Sequence, residues 1–102
     1  MIDLTISDVK KSIRNIPDFP KPGIQFKDVS TAFKDHQIFR FVVSQIKSHY
    51  IDAGITKVVG IESRGFILGS SLASEFHAGF IPIRKPGKLP AHTFSQTYDL
   101  EY

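Results

Sequence analysis

Lys57-Val58-Val59-Gly60-Ile61-Glu62-Ser63-Arg64-Gly65-Phe66-Ile67-Leu68-Gly69 reads as a buried strand, a tight turn and the start of a helix. Val58, Val59 and Ile61 suit a strand covered on both faces, as in a parallel sheet. Gly60 and Gly65 bracket the turn and let backbone pass where a Cβ would collide. The helix is expected to begin near Gly65, and its first N–H groups lack intrahelical partners. They face the carboxyl end of the strand, where open α/β sheets bind ligands. Free N–H groups and the helix dipole favour an anion there. Arg64 adds a forked cation suited to phosphate. The same pattern also fits an ordinary strand–turn–helix connection with a surface arginine.

Downstream, Phe66, Ile67, Leu68, Leu72, Ala73 and Phe76 continue the helix to a stop before Gly79. Phe80-Ile81-Pro82-Ile83-Arg84 is a second strand. Strand, helix and strand at this spacing make a βαβ unit, with parallel strands and a right-handed crossover. Pro82 lacks an N–H and suggests a sheet edge or a bulge. Lys85-Pro86-Gly87-Lys88-Leu89-Pro90 follows as a basic loop. With Arg84 it gathers positive charge at the strand end expected beside Ser63 and Arg64, although a solvated charged loop would read the same way. From Phe94 to Tyr102 apolar and polar residues alternate, the pattern of a strand with one buried face.

Upstream, Ile6, Val9, Ile13 and Ile16 recur at spacings of three and four. This predicts a helix from Thr5 to about Ile16, with Thr5 and Asp8 as a capping box and Pro17 as its end. Pro17-Asp18-Phe19-Pro20-Lys21-Pro22-Gly23-Ile24-Gln25-Phe26-Lys27-Asp28 is expected to be a rigid loop packed on the domain, since Phe19, Ile24 and Phe26 are too apolar for a solvated tether. Phe26 could stack on a planar ring or simply pack in the core. Asp35 starts a second helix running to about Ala53, with Ile38, Phe39, Val42, Val43, Ile46 and Tyr50 as its apolar stripe and Gly54 as its stop.

A chain of 102 residues holds one domain at most. Its 41% hydrophobic and 23% charged content is that of a soluble globular protein. No apolar run approaches the ~20 residues that span a bilayer, and the first residues do not form a secretory signal. With no cysteine, disulfides, zinc–thiolate sites and cysteine nucleophiles are excluded. These features point to the cytoplasm. The net charge of +3 suits an anionic small molecule and does not call for nucleic acid. His36, His49, His77 and His92 have no metal-ligand spacing, so no protein-bound metal is expected. Two residues separate Gly60 from Ser63, where a serine nucleophile elbow has one.

Taken together, several segments resemble the adenine phosphoribosyltransferases, which join adenine to phosphoribosyl pyrophosphate (PRPP) to give AMP and pyrophosphate. They are Pro17-Asp18-Phe19-Pro20, Pro22-Gly23-Ile24, Phe26-Lys27-Asp28, Ala53-Gly54-Ile55 and Glu62-Ser63-Arg64-Gly65-Phe66. Arg84-Lys85-Pro86-Gly87-Lys88-Leu89-Pro90 and Tyr98-Asp99-Leu100-Glu101-Tyr102 complete the set, in family order. The resemblance implies the α/β fold of type I phosphoribosyltransferases, a Rossmann-like parallel sheet flanked by helices with a hood hairpin. Here it would be a single partial domain. Residues 1–34 would give the N-terminal helix and adenine-side loop, 35–84 the βαβ unit with its pyrophosphate turn, and 85–102 the mobile basic loop and hood strand.

The resemblance also implies residue roles. Phe26 would stack on adenine, with the backbone around Gln25 and Lys27 reading its edge. Glu62, Ser63, Arg64 and Gly65 would form the pyrophosphate turn, which in the family contains a cis peptide. Lys88 would bind pyrophosphate, Arg84 would reach a neighbouring site in a homodimer, and Glu101 would take the adenine ring proton. Mg²⁺ would arrive with PRPP. Lys27 stands where the family usually has arginine, and Ala91, His92 and Gln96 replace residues that are often charged in bacterial relatives. Nothing in the chain matches the family's ribose-phosphate loop. The expectation is therefore a piece of the enzyme, truncated or split, with little or no activity alone. The alternative is a non-catalytic module that senses purine or PRPP, or that dimerises.

Overall fold

The computed structural model describes residues 3–90 and 92–96. They form two compact units, the first up to Val42 and the second from Val43.

In the first unit, α1 (Ile6–Ser12) opens on the expected capping box: the Thr5 N–H donates to Asp8 Oδ2 at 2.8 Å, and the Asp8 N–H to Thr5 Oγ1 at 3.3 Å. The helix does not reach Ile16. Ile13 is already extended, and Arg14–Pro17 form β1, paired antiparallel with β2 (Gln25–Asp28) in the register Arg14↔Asp28 to Pro17↔Gln25. The cause is a side chain far along the chain. The Thr31 hydroxyl, on α2 (Ser30–Phe33), donates to the Ser12 carbonyl at 2.7 Å and accepts the Arg14 N–H at 3.1 Å. It satisfies the helix end and turns the chain into the ladder, which outweighs a marginal local helix. The expected loop over Pro17–Asp28 accordingly holds a second strand. Its tip is closed by the Gly23 N–H to Asp18 Oδ1 (3.0 Å) and the Phe19 N–H to the Ile24 carbonyl (3.2 Å), with Gly23 at φ 90° and a cis bond between Phe19 and Pro20.

Asp28 anchors this hairpin. Its carboxylate accepts the Ser30 hydroxyl (2.7 Å), the Ser30 N–H (2.9 Å) and the Arg14 Nε–H (3.1 Å). The Ser30 hydroxyl first, and Arg14 next, hold its pKa down at about 2. A depressed carboxyl pKa adds stability above the unfolded value and loses it as pH falls through the folded value. Unfolding followed from pH 5 to pH 2 should show that loss in the wild type, and Asp28→Asn should flatten the profile in that window. An unchanged profile in the variant would exclude the assignment.

The helix α3 (His36–His49) is capped by Asp35, whose carboxylate accepts the Gln37 and Ile38 N–H groups at 2.9 and 3.2 Å. Ile38, Val43 and Ala32 are buried, and Phe33 meets Phe39 edge-to-face at 5.2 Å. The helix stops short of Ala53. The Tyr50 N–H is shared between the Ile46 and Lys47 carbonyls, and the Ala53 N–H bonds back to Tyr50, so residues 50–53 turn before Gly54 takes φ 69°.

In the second unit the expected βαβ element is present. β3 (Lys57–Ile61), α4 (Arg64–Phe76) and β4 (Gly79–Ile83) follow in order, with β3 and β4 parallel from Lys57↔Gly79 to Ile61↔Ile83. Pro82 lies opposite Gly60 in this two-stranded sheet. α4 sits close on one sheet face because Gly60 and Gly69 carry no side chain. A Cβ at Gly60 would stand 2.7 Å from the Gly65 carbonyl oxygen and 2.8 Å from the Phe80 ring, and one at Gly69 would stand 2.5 Å from that ring. α4 ends at His77, in the left-handed region at φ 54°, with the Ala78 N–H bonded to the Ala73 carbonyl.

The other sheet face differs from expectation. Val59 and Ile61 are each 52% exposed, and their partners Ile81 and Ile83 43%. The strand composition calls for two covered faces, but among the described residues one helix layer covers one. The strand expected from Phe94 is not found over Phe94–Gln96, and its remainder lies outside the described residues.

Candidate anion-binding site

The second unit carries the turn and the basic loop. β3 ends at Ile61, and the parallel ladder runs one bond further, from the Glu62 N–H to the Ile83 carbonyl at 2.9 Å. The peptide bond between Glu62 and Ser63 is cis, as the resemblance implies. Ser63 precedes α4 without a side-chain capping bond, so its hydroxyl does not occupy the first helical N–H groups. Arg64, the first helical residue, is exposed. Gly65 brings its carbonyl over Gly60, which is why neither position takes a side chain.

The basic loop is tied to this turn. Glu62 Oε2 accepts the Lys85 N–H at 2.8 Å and the Arg84 Nε–H at 3.3 Å. The Lys85 N–H, and then the Arg84 charge, hold the Glu62 carboxyl below the usual carboxylate range, against desolvation. Arg84 also donates from Nη1 to the Lys88 carbonyl at 3.3 Å and lies 6.0 Å from the centre of the Phe66 ring. Phe66 in turn meets Phe80 edge-to-face at 5.8 Å. The Lys88 N–H bonds to the Lys85 carbonyl at 3.2 Å, folding Lys85–Lys88 into a turn with Gly87 at φ 82°. Glu62, Ser63, Arg64, Gly65, Arg84 and Lys88 thus share one end of the βαβ unit.

In the first unit, Gln25, Phe26 and Lys27 lie on β2. Gln25 and Lys27 face solvent and Phe26 the half-buried side, where its ring meets Phe19 edge-to-face at 5.2 Å. Asn15, which no motif singled out, bridges the two outward side chains. Its Nδ2–H donates to Gln25 Oε1 at 3.0 Å, and its Oδ1 accepts from Lys27 Nζ at 2.7 Å. Only the antiparallel register, which places Asn15 opposite Lys27, exposes this link. Glu101 lies outside the described residues. No helix among the described residues is long and apolar enough to cross a membrane.

No protein-family model matches the chain. Individual proteins do. An adenine phosphoribosyltransferase of Bacteroides fragilis is 62% identical over 92 residues, 90% of this chain and 52% of its own length. One from Shewanella woodyi is 49% identical over 98 residues, 96% of this chain and 54% of its own length. The crystal structure of the Giardia lamblia enzyme complexed with 9-deazaadenine superposes with a TM-score of 0.94 at 45% identity, over 98% of this chain and 55% of that one. The chain spans about half the length of the curated relatives it matches. In sequence and in fold it resembles the adenine phosphoribosyltransferases, and the part of the type I phosphoribosyltransferase fold that it spans is an α/β unit with a parallel sheet.

Proposed function

We propose that this chain carries adenine-binding and pyrophosphate-binding segments of an adenine phosphoribosyltransferase. The observation that carries the reading is the turn at Glu62–Gly65, with an uncapped helix start, a leading arginine and a basic loop fastened beside it. Such a turn suits an anion with several oxygens, through backbone N–H groups and a forked cation. The 9-deazaadenine in the Giardia lamblia enzyme supports adenine as the other ligand.

In the proposed reaction N9 of adenine bonds to the anomeric carbon of PRPP, and the bond from that carbon to pyrophosphate breaks. Negative charge grows on the departing pyrophosphate. Arg64, Lys88 and the amides of Ser63, Arg64 and Gly65 would stabilise it. Phe26 would stack on the purine beside Gln25 and Lys27. The proton of N9 must leave, and Glu101 is assigned to take it on its matched position alone. Mg²⁺ enters as part of the PRPP substrate. A homodimer in the cytoplasm belongs to the same reading, with Arg84 serving the neighbouring site. In the single chain its guanidinium is engaged by Glu62, Lys88 and Phe66.

The test is equilibrium binding to the chain. Magnesium PRPP should displace pyrophosphate competitively, and adenine should show saturation transfer that Phe26→Ala abolishes. Pyrophosphate that PRPP fails to displace, or adenine binding untouched by Phe26→Ala, would contradict the reading.

A further inference from the structure

We propose that Glu62 is a positioning residue that fastens the basic loop to the turn, and not a ligand of the anion; this rests on the pyrophosphate reading of the turn. An acidic side chain inside a site for a polyanion needs a physical reason, because like charges at close range repel. The hydrogen bonds supply one. Glu62 is used on both sides. Its N–H extends the ladder to the Ile83 carbonyl, and its carboxylate accepts from the next two residues, Arg84 and Lys85. The side chain is only 17% exposed, and its Oε2 takes both bonds. The loop therefore leaves β4 in one direction, set by the turn that leaves β3.

Arg84 is held at three points: by Glu62, by the Lys88 carbonyl and by the Phe66 face. The Lys88 carbonyl belongs to the turn that the Lys88 N–H closes on Lys85. One carboxylate thus fixes the base of the loop and, through Arg84, the far side of its turn. The backbone that carries Lys88 is placed before pyrophosphate arrives, which reduces the ordering cost of binding. The bond to the Lys85 N–H is the shorter of the two, 2.8 Å against 3.3 Å. An amide oxygen can accept that bond, so glutamine should keep much of the clasp and alanine none of it.

The experiment compares wild type, Glu62→Gln and Glu62→Ala in the whole chain by two readouts, with the thermal midpoint as a control. Hydrogen exchange at the Lys85 amide reads the clasp directly. Titration with magnesium pyrophosphate reads its consequence. Glu62→Ala should speed Lys85 exchange and weaken pyrophosphate binding, each by roughly three- to tenfold, the scale of one ordinary hydrogen bond. Glu62→Gln should fall between, even if the alanine variant folds poorly. Pyrophosphate binding that is unchanged or tighter in Glu62→Ala would overturn the proposal, because the carboxylate would then be idle or competing with the anion. Lys85 exchange at the wild-type rate in both variants would overturn the clasp itself. If the wild type binds no pyrophosphate, the anion reading of the turn fails, and Lys85 exchange alone still decides whether Glu62 fastens the loop.

Discussion

Replacing Gly60 with alanine is expected to destabilise the βαβ unit by about 1–3 kcal/mol, and more if the helix cannot shift, as for overpacked cores in general. Two obstacles meet the new methyl group: the Gly65 carbonyl oxygen at 2.7 Å and the Phe80 ring at 2.8 Å. The ring belongs to a side chain, but the carbonyl is backbone in the first turn of α4 and moves only if the helix start moves with it. Gly69 provides the contrast. There the near obstacle is the Phe80 ring alone, at 2.5 Å. Gly69→Ala also gains up to about 1 kcal/mol of helix propensity. Trimming the ring with Phe80→Leu should therefore restore much of the loss in Gly69→Ala and little of it in Gly60→Ala. Denaturant midpoints of the two double variants, each against Phe80→Leu alone, measure this coupling. Wild-type stability in Gly60→Ala would mean that α4 does not lie as close to β3 as described.

Arg64→Ala should weaken magnesium pyrophosphate binding by roughly tenfold to a hundredfold, the range of hydrogen bonds to charged groups. Arg64 begins α4, so its guanidinium and the first helical amides belong to one short segment. Lysine at this position keeps the charge and loses the fork, so Arg64→Lys should recover only part of the loss. Salt should weaken binding in the wild type more than in Arg64→Ala, because the variant has one cation fewer to screen. Equal affinity in wild type and Arg64→Ala would remove Arg64 from the site.

The parts of the fold that were legible in the sequence are local ones. The βαβ unit follows from an apolar run, two glycines and a helical stripe within Lys57–Ile83, and the parallel direction of its strands follows from the short crossover, while their register is read only from the structure. The first unit was legible only in part. Thr5 and Asp8 announce the start of α1, but its end depends on the Thr31 hydroxyl and on a ladder to β2, contacts that periodicity does not register. Asn15 stayed hidden for the same reason, since its role exists only once β1 and β2 pair. Val59, Ile61, Ile81 and Ile83 carry a signal that the described residues do not satisfy, with strand-core side chains on an open face. Within the candidate site, the cations and glycines of the turn were readable by type. The use of Glu62 was not, because a carboxylate among cations reads alike as ligand, clasp or solvated charge until its hydrogen-bond partners are known.

The central claim is that the turn after β3 and the loop after β4 together hold the pyrophosphate of PRPP. The most direct measurement is an amide chemical-shift map of the chain titrated with magnesium pyrophosphate. Saturable shifts concentrated at Ser63–Phe66 and Arg84–Lys88, and lost in Arg64→Ala, are the predicted result. Shifts that do not saturate, or that fall outside these two segments, would contradict it.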